Sequence, residues 1–283
     1  MRQFLYIIIL CFAFAATAGA GVYTGDNNNN TFLLSGNGHL GQFTATLVNP
    51  YSGYTVAIDD EKYINDSYYD GLGGTDTLYG TAYGDVVMLC DAQGAQMIAN
   101  IETLSFGNGG DIVIFSDATI VLGGITVYGG ALDDIIWGNA GADYLDGNLG
   151  NDLVDGGPGT DIIIGGDGDD HLWGGTGDDV FRYAVGHDFD IIEGGSEFDT
   201  IEFNGITAED ITITPNVTIG TMTGFQITVA GGGWMRTVDV EQLRFQDGRT
   251  MLIPEPATGV ILLMGAGMMR VRKKHGHRLN IEE

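Results

Sequence analysis

The sequence predicts an all-β protein whose centre is a parallel β-roll flanked by short antiparallel β segments. Three observations lead to this prediction: a nine-residue repeat over residues 129–182, forty-seven glycines in 283 residues, and charged side chains at only 17% of positions. Glycine adopts the backbone conformations that tight turns require, so this composition favours a turn-rich β architecture over a helical one.

The repeat consists of six consecutive units: GGALDDIIW, GNAGADYLD, GNLGNDLVD, GGPGTDIII, GGDGDDHLW and GGTGDDVFR. Glycine opens every unit, and a large apolar residue holds the eighth place of each. Leu132 replaces the usual fourth-place glycine in the first unit, so this turn departs most from the pattern. An aspartate holds the sixth place of every unit: Asp134, Asp143, Asp152, Asp161, Asp170 and Asp179.

The spacing predicts short strands separated by tight turns. Side chains alternate between the two faces of a strand, so the eighth-place residue points inward while its neighbours face outward. Stacked units then build one continuous core from residues that a single unit could not bury.

These residues resemble the RTX, or haemolysin-type, calcium-binding repeat, whose pattern is G-G-x-G-x-D-x-U-x. The resemblance implies a β-roll that binds several Ca²⁺ ions between its turns, held by the sixth-place aspartates and backbone carbonyls. Alternate units stack in that family, which implies pairing of Asp134 with Asp152, Asp143 with Asp161, Asp152 with Asp170, and Asp161 with Asp179.

The chemistry of the residues agrees with calcium. Ca²⁺ is a hard cation that takes about six to eight oxygen ligands from carboxylates and carbonyls. Stacked rows of aspartate, with Asp133, Asp169 and Asp178 beside them, repel one another unless a cation lies between them. The alternative is a metal-free solenoid rich in glycine and aspartate.

The formal net charge of −27 argues against nucleic acid as a partner, because phosphates require a basic surface. Only Cys11 and Cys90 are present, and Cys11 lies in the predicted leader. Cys90 has no histidine near it in sequence, so we predict a buried small side chain rather than a nucleophile.

Residues 1–20 are typical of a secretory signal peptide, with Arg2 before an apolar stretch and small residues at its end. Residues 21–128 predict a β-rich region with degenerate repeat units, including GLGGTDTLY (71–79) and GTAYGDVVM (80–88). Residues 112–128 are apolar and β-branched, and we expect them to close the N-terminal end of the roll.

The roll is predicted over residues 129–202. The unit GGSEFDTIE (194–202) is its last, and Asp188 and Asp190 are expected in the loop before it. Residues 203–250 predict an antiparallel β cap, with strands at 211–214, 225–229 and 235–240. Residues 101–106 and 240–248 resemble strands found beside and at the end of RTX modules.

The segment 254–274 combines Pro-Glu-Pro, an apolar run and a basic cluster. This arrangement resembles the PEP-CTERM sorting signal of Gram-negative bacteria, which an exosortase recognises and cleaves. The apolar run has about thirteen residues, fewer than the roughly 17–25 of a lasting span, so we expect only transient membrane anchoring. The resemblance implies export to the cell surface or beyond, and association with exopolysaccharide.

The sequence contains neither an H-E-x-x-H nor a G-x-S-x-G motif, and we predict that the protein is not an enzyme. The function that we expect is an exported, calcium-binding structural protein of the cell surface or extracellular matrix. The alternatives are an adhesin or polysaccharide-binding module, with contacts in 21–70 or 203–250, and a polysaccharide-active enzyme. Trp137 and Trp173 end two repeat units, and we expect packing rather than sugar binding from them.

Overall fold

A computed structural model describes residues 22–24, 28–29, 31–34, 39–48, 55–64, 68–88, 98–115, 123–184, 188–219, 222–253, 262–264, 270–274 and 278–282. These residues form β-strands and turns, arranged largely as parallel sheets, so the predicted all-β fold class is confirmed. The predicted leader, Cys90 and the Pro-Glu-Pro motif lie outside the described residues.

The N-terminal part of the chain coils through three sheets. The fifth, sixth and seventh strands lie in three different sheets. The eighth, ninth and tenth strands lie in the same three sheets, in the same order. One such turn takes 26 residues, as the separation of Asp85 from Asp111 shows. The strands are β1 (Val22–Thr24), β2 (Thr31–Leu33), β3 (His39–Val48), β4 (Thr55–Ile64), β5 (Tyr68–Asp70), β6 (Thr77–Tyr79), β7 (Asp85–Met88), β8 (Ile98–Ala99), β9 (Thr103–Ser105) and β10 (Ile112–Ile114).

The repeat block continues this coil with two strands per turn. Equivalent residues on stacked turns are 18 positions apart from β11 to β17, as in Leu145 opposite Ile163, and 20 positions apart where β18 and β19 join the stack. All these pairings are parallel. The strands are β11 (Thr126–Ala131), β12 (Ile135–Trp137), β13 (Tyr144–Leu149), β14 (Leu153–Pro158), β15 (Ile162–Asp167), β16 (His171–Thr176), β17 (Val180–Ala184), β18 (Phe189–Ser196) and β19 (Thr200–Asn204).

The C-terminal part combines antiparallel and parallel pairing. Three of the strands form an antiparallel meander, whose last strand also pairs in parallel with β18. The predicted antiparallel strands are therefore present, with somewhat different ends. The strands are β20 (Ile211–Ile219), β21 (Met222–Val229), β22 (Trp234–Val238), β23 (Gln242–Arg244), β24 (Thr250–Leu252), β25 (Leu262–Met264), β26 (Arg270–Lys274) and β27 (Arg278–Glu282).

The strands assemble into two long sheets and two small ones. Sheet 1 has the order β1-β5-β8, and sheet 2 has the order β2-β6-β9-β11-β13-β15-β17-β19-β23-β24-β25. Sheet 3 has the order β3-β4-β7-β10-β12-β14-β16-β18-β22-β21-β20, and β26 pairs only with β27.

One large hydrophobic cluster runs through the N-terminal coil and the repeat block. The inward residues of both belong to one cluster that extends from Leu34 to Ile253. The eighth-place residues of the six units are all in it: Ile136, Leu145, Val154, Ile163, Leu172 and Phe181. Each unit contributes one large side chain to this cluster, so the cluster forms only when neighbouring turns stack.

The expectation that residues 112–128 close the roll is wrong. Strand β10 pairs with β7 on one side and with β12 on the other, so it is an interior strand of sheet 3. The antiparallel hairpin β3–β4 lies at the N-terminal edge instead. The degenerate units extend the coil far enough that residues 112–114 have neighbours on both sides.

The two tryptophans of the repeats are packed, as the sequence predicts. Trp137 is only 2% exposed and belongs to a second apolar cluster with Ile112 and Ile135. The ring of Trp173 stacks on His171, with their centroids 3.7 Å apart. Both residues lie on the same face of β16, two positions apart, so this contact packs the ring of Trp173 within its own strand.

Glycine is required where turns approach each other closely. Gly177 has φ of +127°, and a Cβ at this position would overlap the carbonyl oxygen of Gly159 on the preceding turn. Leu132 takes φ of +76° at the corresponding fourth place of the first unit. The leucine side chain is 63% exposed and stays outside the core, so the substitution of leucine for glycine strains only the backbone.

Candidate metal centre

The repeat places its sixth-place aspartates where each turn leads into the next strand. All six predicted residues are buried, although carboxylates are rarely buried without a partner: Asp134, Asp143, Asp152, Asp161, Asp170 and Asp179. Each aspartate directly precedes a strand. The residue two positions after the aspartate lies in that strand and points into the core. The same strand geometry that directs the apolar residue inward therefore holds the aspartate just before the first residue of the strand.

One oxygen of each carboxylate links two stacked turns. The backbone N–H of Asp134 donates to Oδ1 of Asp152 at 2.7 Å, and that of Asp143 donates to Oδ1 of Asp161 at 2.8 Å. The N–H groups of Asp152 and Asp161 donate in the same way to Asp170 and Asp179. The four pairs predicted from the sequence thus lie on neighbouring turns.

These bonds form two rows, one beside each long sheet. The sheet 3 ladder contains Asp85, Asp111, Asp134, Asp152, Asp170 and Asp190. The sheet 2 ladder contains Asp76, Glu102, Asp143, Asp161, Asp179, Asp199 and Glu241. In the sheet 2 ladder Ile125 holds one acidic place, and its N–H donates to Oδ1 of Asp143 at 2.9 Å.

The other carboxylate oxygen is the unusual one. Oδ2 is buried and has no hydrogen-bond partner in five acids: Asp152, Asp161, Asp170, Asp179 and Asp199. Asp143 differs, because its Oδ2 accepts a hydrogen bond of 2.8 Å from the backbone of Asn139. A buried charged oxygen without a partner is costly, so these five positions require a cation or a proton.

The opening glycines leave space beside these oxygens. A Cβ built on Gly138 would lie 2.6 Å from Oδ2 of Asp143 and against the carbonyl oxygen of Gly156 on the next turn. Gly156 faces Oδ2 of Asp161 and the carbonyl oxygen of Gly174 in the same arrangement. Each such turn brings one carboxylate oxygen and one main-chain carbonyl oxygen to a place that no side chain fills.

Burial raises the pKa of the aspartates well above the ordinary value of 3.8. The pKa reaches about 6 for Asp143, Asp170 and Asp179. It reaches about 7 for Asp152 and about 8 for Asp161, where neighbouring carboxylates add to the effect of burial. Near neutral pH, a bound cation would supply the charge that these sites otherwise obtain from protons.

The donor set fits calcium. It consists of oxygen atoms, which hard cations prefer, from carboxylates and from backbone carbonyls. Within the described ranges, three or more acidic, histidine or cysteine side chains do not converge on one point. A site in this roll would therefore rely on main-chain oxygens for much of its coordination, and the glycine turns bring those oxygens close.

The fifth-place residues form a second, exposed row. The N–H of Asn151 donates to Oδ1 of Asp133 at 2.8 Å, and the N–H of Asp169 donates to Oδ1 of Asn151 at 2.9 Å. Here the donor lies on the later turn, so these bonds run opposite to those of the sixth-place acids. Water reaches these residues, which keeps their oxygens solvated.

The expected loop position of Asp190 is wrong. Asp190 lies in β18, is buried, and accepts the N–H of Asp170 at 3.1 Å. Burial and the Asp170 carboxylate raise its pKa to about 8. The spacing of 20 residues hid this position, because the repeat predicts an acid 18 residues after Asp170. Strand pairing reveals the position, because Leu172 lies opposite Ile192, which is also 20 residues later.

Parallel turns, an inward apolar row and buried acid ladders define a calcium-binding β-roll. The family model described as RTX calcium-binding nonapeptide repeat matches four copies, over residues 70–88, 126–154 and 155–190. The chain therefore carries RTX repeats, and Ca²⁺ is the ion that such repeats bind, with several ions per repeat region. The match includes the degenerate units of residues 71–88.

A comparison with curated proteins gave no match to this chain. The described part of the chain contains no helix with the length and hydropathy that a membrane crossing needs. RTX proteins are typically exported, and an exported calcium-binding protein is the class that the repeats indicate.

Proposed function

We propose that this protein is a non-enzymatic structural component of the cell surface or extracellular matrix that folds on binding calcium after export. The observation that carries the proposal is the set of buried Oδ2 atoms without hydrogen-bond partners in the acid ladders. These oxygens make the folded roll unfavourable without a cation at neutral pH, and they occur at five positions from Asp152 to Asp199.

The six tandem aspartates, Asp134, Asp143, Asp152, Asp161, Asp170 and Asp179, are the ligands that we propose. Their Oδ1 atoms accept backbone N–H groups and fix the spacing of the turns. Their Oδ2 atoms and the glycine carbonyls would hold the ion, which supplies the missing positive charge. Binding to the folded chain alone then adds its free energy to folding.

The predicted ends of the chain complete the proposal. Residues 1–20 would direct export and be removed, and 254–274 would be recognised by an exosortase-type enzyme after transient membrane anchoring. Between them, 21–128, 129–202 and 203–250 would serve as the N-terminal coil, the calcium-binding roll and the C-terminal cap. We propose the surface of a Gram-negative bacterium, or the exopolysaccharide around it, as the destination.

A calcium titration of the purified full chain, followed by far-UV circular dichroism, tests calcium-dependent folding. We expect the β signal to rise with calcium and not with the same concentration of magnesium, because Mg²⁺ demands a rigid octahedral site and gives up its water reluctantly. A full β signal in chelator, unchanged by calcium, would contradict the proposal.

A polysaccharide-binding role is the second candidate. Tyr79 and Tyr128 lie at equivalent positions of sheet 2, two strands apart, and are 43% and 37% exposed. Ser105 lies between them, and Thr103 and Thr126 share the same outer face. Exposed rings beside hydroxyl groups suit sugar stacking and hydrogen bonding. A glycan array would detect such binding, and release of reducing sugar would instead reveal an enzyme.

A further inference from the structure

Two short segments of the chain repeat one another outside the nine-residue pattern. Residues 100–106 read Asn-Ile-Glu-Thr-Leu-Ser-Phe, and residues 239–245 read Asp-Val-Glu-Gln-Leu-Arg-Phe. Each leads into a strand of sheet 2, namely β9 and β23. Neither segment lies within the residues that match the RTX family model.

The glutamates of both segments make the same hydrogen bonds. The N–H of Asp199 donates to Oε2 of Glu241 at 2.9 Å, and the N–H of Asp76 donates to Oε2 of Glu102 at 2.7 Å. In return, the carbonyl oxygen of Asp199 accepts the N–H groups of Glu241 and Gln242. The carbonyl oxygen of Asp76 accepts those of Glu102 and Thr103.

The backbone of the two segments agrees as well. Asn100 has φ of 50° and Asp239 has φ of 52°, both in the left-handed region. A Cβ on Gly194 would lie 2.6 Å from Oδ2 of Asp199 and against the carbonyl oxygen of Asp239. The same Cβ on Gly71 would meet Oδ2 of Asp76 and the carbonyl oxygen of Asn100.

These turns reproduce the arrangement of the tandem turns with different residues. In the tandem turns an opening glycine faces an aspartate Oδ2 and the carbonyl oxygen of the opening glycine that stacks on it, 18 residues later, as Gly156 faces Asp161 and Gly174. In the two turns described here, the residue with positive φ, Asn100 or Asp239, supplies the carbonyl oxygen instead of a glycine. Glutamate replaces aspartate as the acid of the following turn.

Glutamate suits a shortened turn. Four residues separate the opening glycine from the aspartate in a tandem unit, such as Gly156 from Asp161, whereas only Val240 separates Asp239 from Glu241. The additional methylene of glutamate lets its carboxylate still accept the N–H of Asp199.

An independent observation points to a ligand at the C-terminal turn. Asp199 is fully buried, and its Oδ2 has no hydrogen-bond partner. The raised pKa of Asp199, about 8, is due first to burial and also to the nearby Asp179 and Glu241 carboxylates. A cation at this turn would balance all three negative groups.

We propose that the turn closed by Asp199, Asp239 and Glu241 is a further calcium site, and that the turn closed by Asp76, Asn100 and Glu102 is a second one of the same kind. Each site fastens a non-repeat strand, β23 or β9, to the repeat unit before it. The inference rests on the proposed calcium-dependent roll and extends it beyond the tandem block.

The test compares the full chain with Glu241→Gln and with Glu202→Gln as the matched control. Glutamine keeps an oxygen that accepts the Asp199 N–H but removes the charge that a cation needs. Glu202 lies on β19 beside β23 and pairs with Arg182 and Arg244 on the outer face, so its variant removes the same charge outside the site. Bound calcium is counted by equilibrium dialysis, and amide exchange is measured in saturating calcium.

We expect Glu241→Gln to bind one calcium ion fewer than the parent and to lose at least tenfold protection at Gln242 and Leu243. Amides of β15 should keep their protection, and Glu202→Gln should match the parent in both measurements. Glu102→Gln should likewise lose one ion, with exchange increased at β9. Unchanged stoichiometry in Glu241→Gln, with the parent binding several ions, would overturn this inference alone. A parent chain that binds no calcium would overturn the proposed function as well.

If Glu241→Gln does not fold, Glu241→Asp provides the same test with the charge retained. Its shorter side chain should lower the calcium affinity of the site closed by Asp199, Asp239 and Glu241 at least tenfold. The total number of ions bound at saturation should equal that of the parent. Equal affinity in Glu241→Asp and the parent would overturn the role of glutamate length.

Discussion

The backbone N–H of Asp170 donates to Oδ1 of Asp190, and this bond carries the sheet 3 ladder past the end of the regular repeat. The two residues are 20 positions apart rather than 18, yet the pairing of β16 with β18 keeps the register of the earlier turns. The additional residues fall between the end of β17 and the start of β18. The stack of turns is thus set by strand pairing, and the chain length between strands can vary.

Replacement of one ladder acid should weaken calcium binding sharply. Asp161→Asn removes the charge of a buried carboxylate whose Oδ2 has no hydrogen-bond partner. We expect at least the roughly 10–100-fold loss of affinity that follows removal of residues supporting a metal site. Isothermal titration calorimetry with calcium measures it. Asp167→Asn, an exposed aspartate in the following unit, is the control, and equal losses in both variants would contradict a site at Asp161.

The dependence of stability on pH should reverse when calcium is added. In chelator, Asp152 and Asp161 have folded pKa values of about 7 and 8, against 3.8 when unfolded. Their contribution to the unfolding free energy is therefore fully present below pH 3.8 and is lost as the pH rises through about 7 to 8. With calcium the carboxylates must be ionised to bind, so stability should rise with pH.

Thermal melting at pH 5 and pH 8.5, with calcium or with chelator, checks this reversal. We expect the higher melting temperature at pH 5 in chelator and at pH 8.5 in calcium. The same order in both buffers would show that these acids do not exchange protons for the ion.

The first repeat turn should become more stable with glycine at its fourth place. Leu132 holds φ of +76° with a side chain that is 63% exposed, so Leu132→Gly relieves backbone strain and sacrifices little burial. We expect a gain of about 1 kcal/mol in unfolding free energy, measured by denaturant melts in calcium. Leu149→Gly is the comparison, since Leu149 is 52% exposed in β13 and should lose stability. A loss in both variants would contradict strain at Leu132.

The inward row should carry most of the apolar stabilisation. Ile163→Ala empties a buried position in the large hydrophobic cluster and should cost about 2–5 kcal/mol of unfolding free energy. The adjacent Ile164 faces outward and is half-buried, so Ile164→Ala should cost clearly less. Denaturant melts of both variants in saturating calcium measure the difference. Equal costs would mean that the two faces of β15 are buried alike.

The repeat block could be predicted because its sequence period and its structural period coincide. The eighth-place residues from Ile136 to Phe181 all point into the core, and the acids follow at a fixed distance from each turn. In such a segment, one nine-residue unit specifies both a turn and a strand. The positions of strands and of buried acids then follow from the sequence alone.

The remaining features depend on pairing between distant strands. The N-terminal coil adds a third sheet to each turn, which raises the period from 18 to 26 residues and breaks the regular pattern. Glu102 and Glu241 occupy acidic places, but they follow shortened turns in which no opening glycine marks the unit. Asp190 follows Phe189 in a strand, without the fourth-place glycine that precedes five of the six tandem aspartates.

Ile125 interrupts the sheet 2 ladder, whereas the sheet 3 ladder continues without a break from Asp85 to Asp190. In a stack where each turn interacts only with its neighbours, cooperativity spreads from one occupied turn to the next. An apolar residue at an acidic place stops that spread along its own edge. Calcium binding at the proposed sites is therefore coupled between the N-terminal coil and the repeat block along the sheet 3 ladder, whereas Ile125 separates the sites of the sheet 2 ladder into two groups.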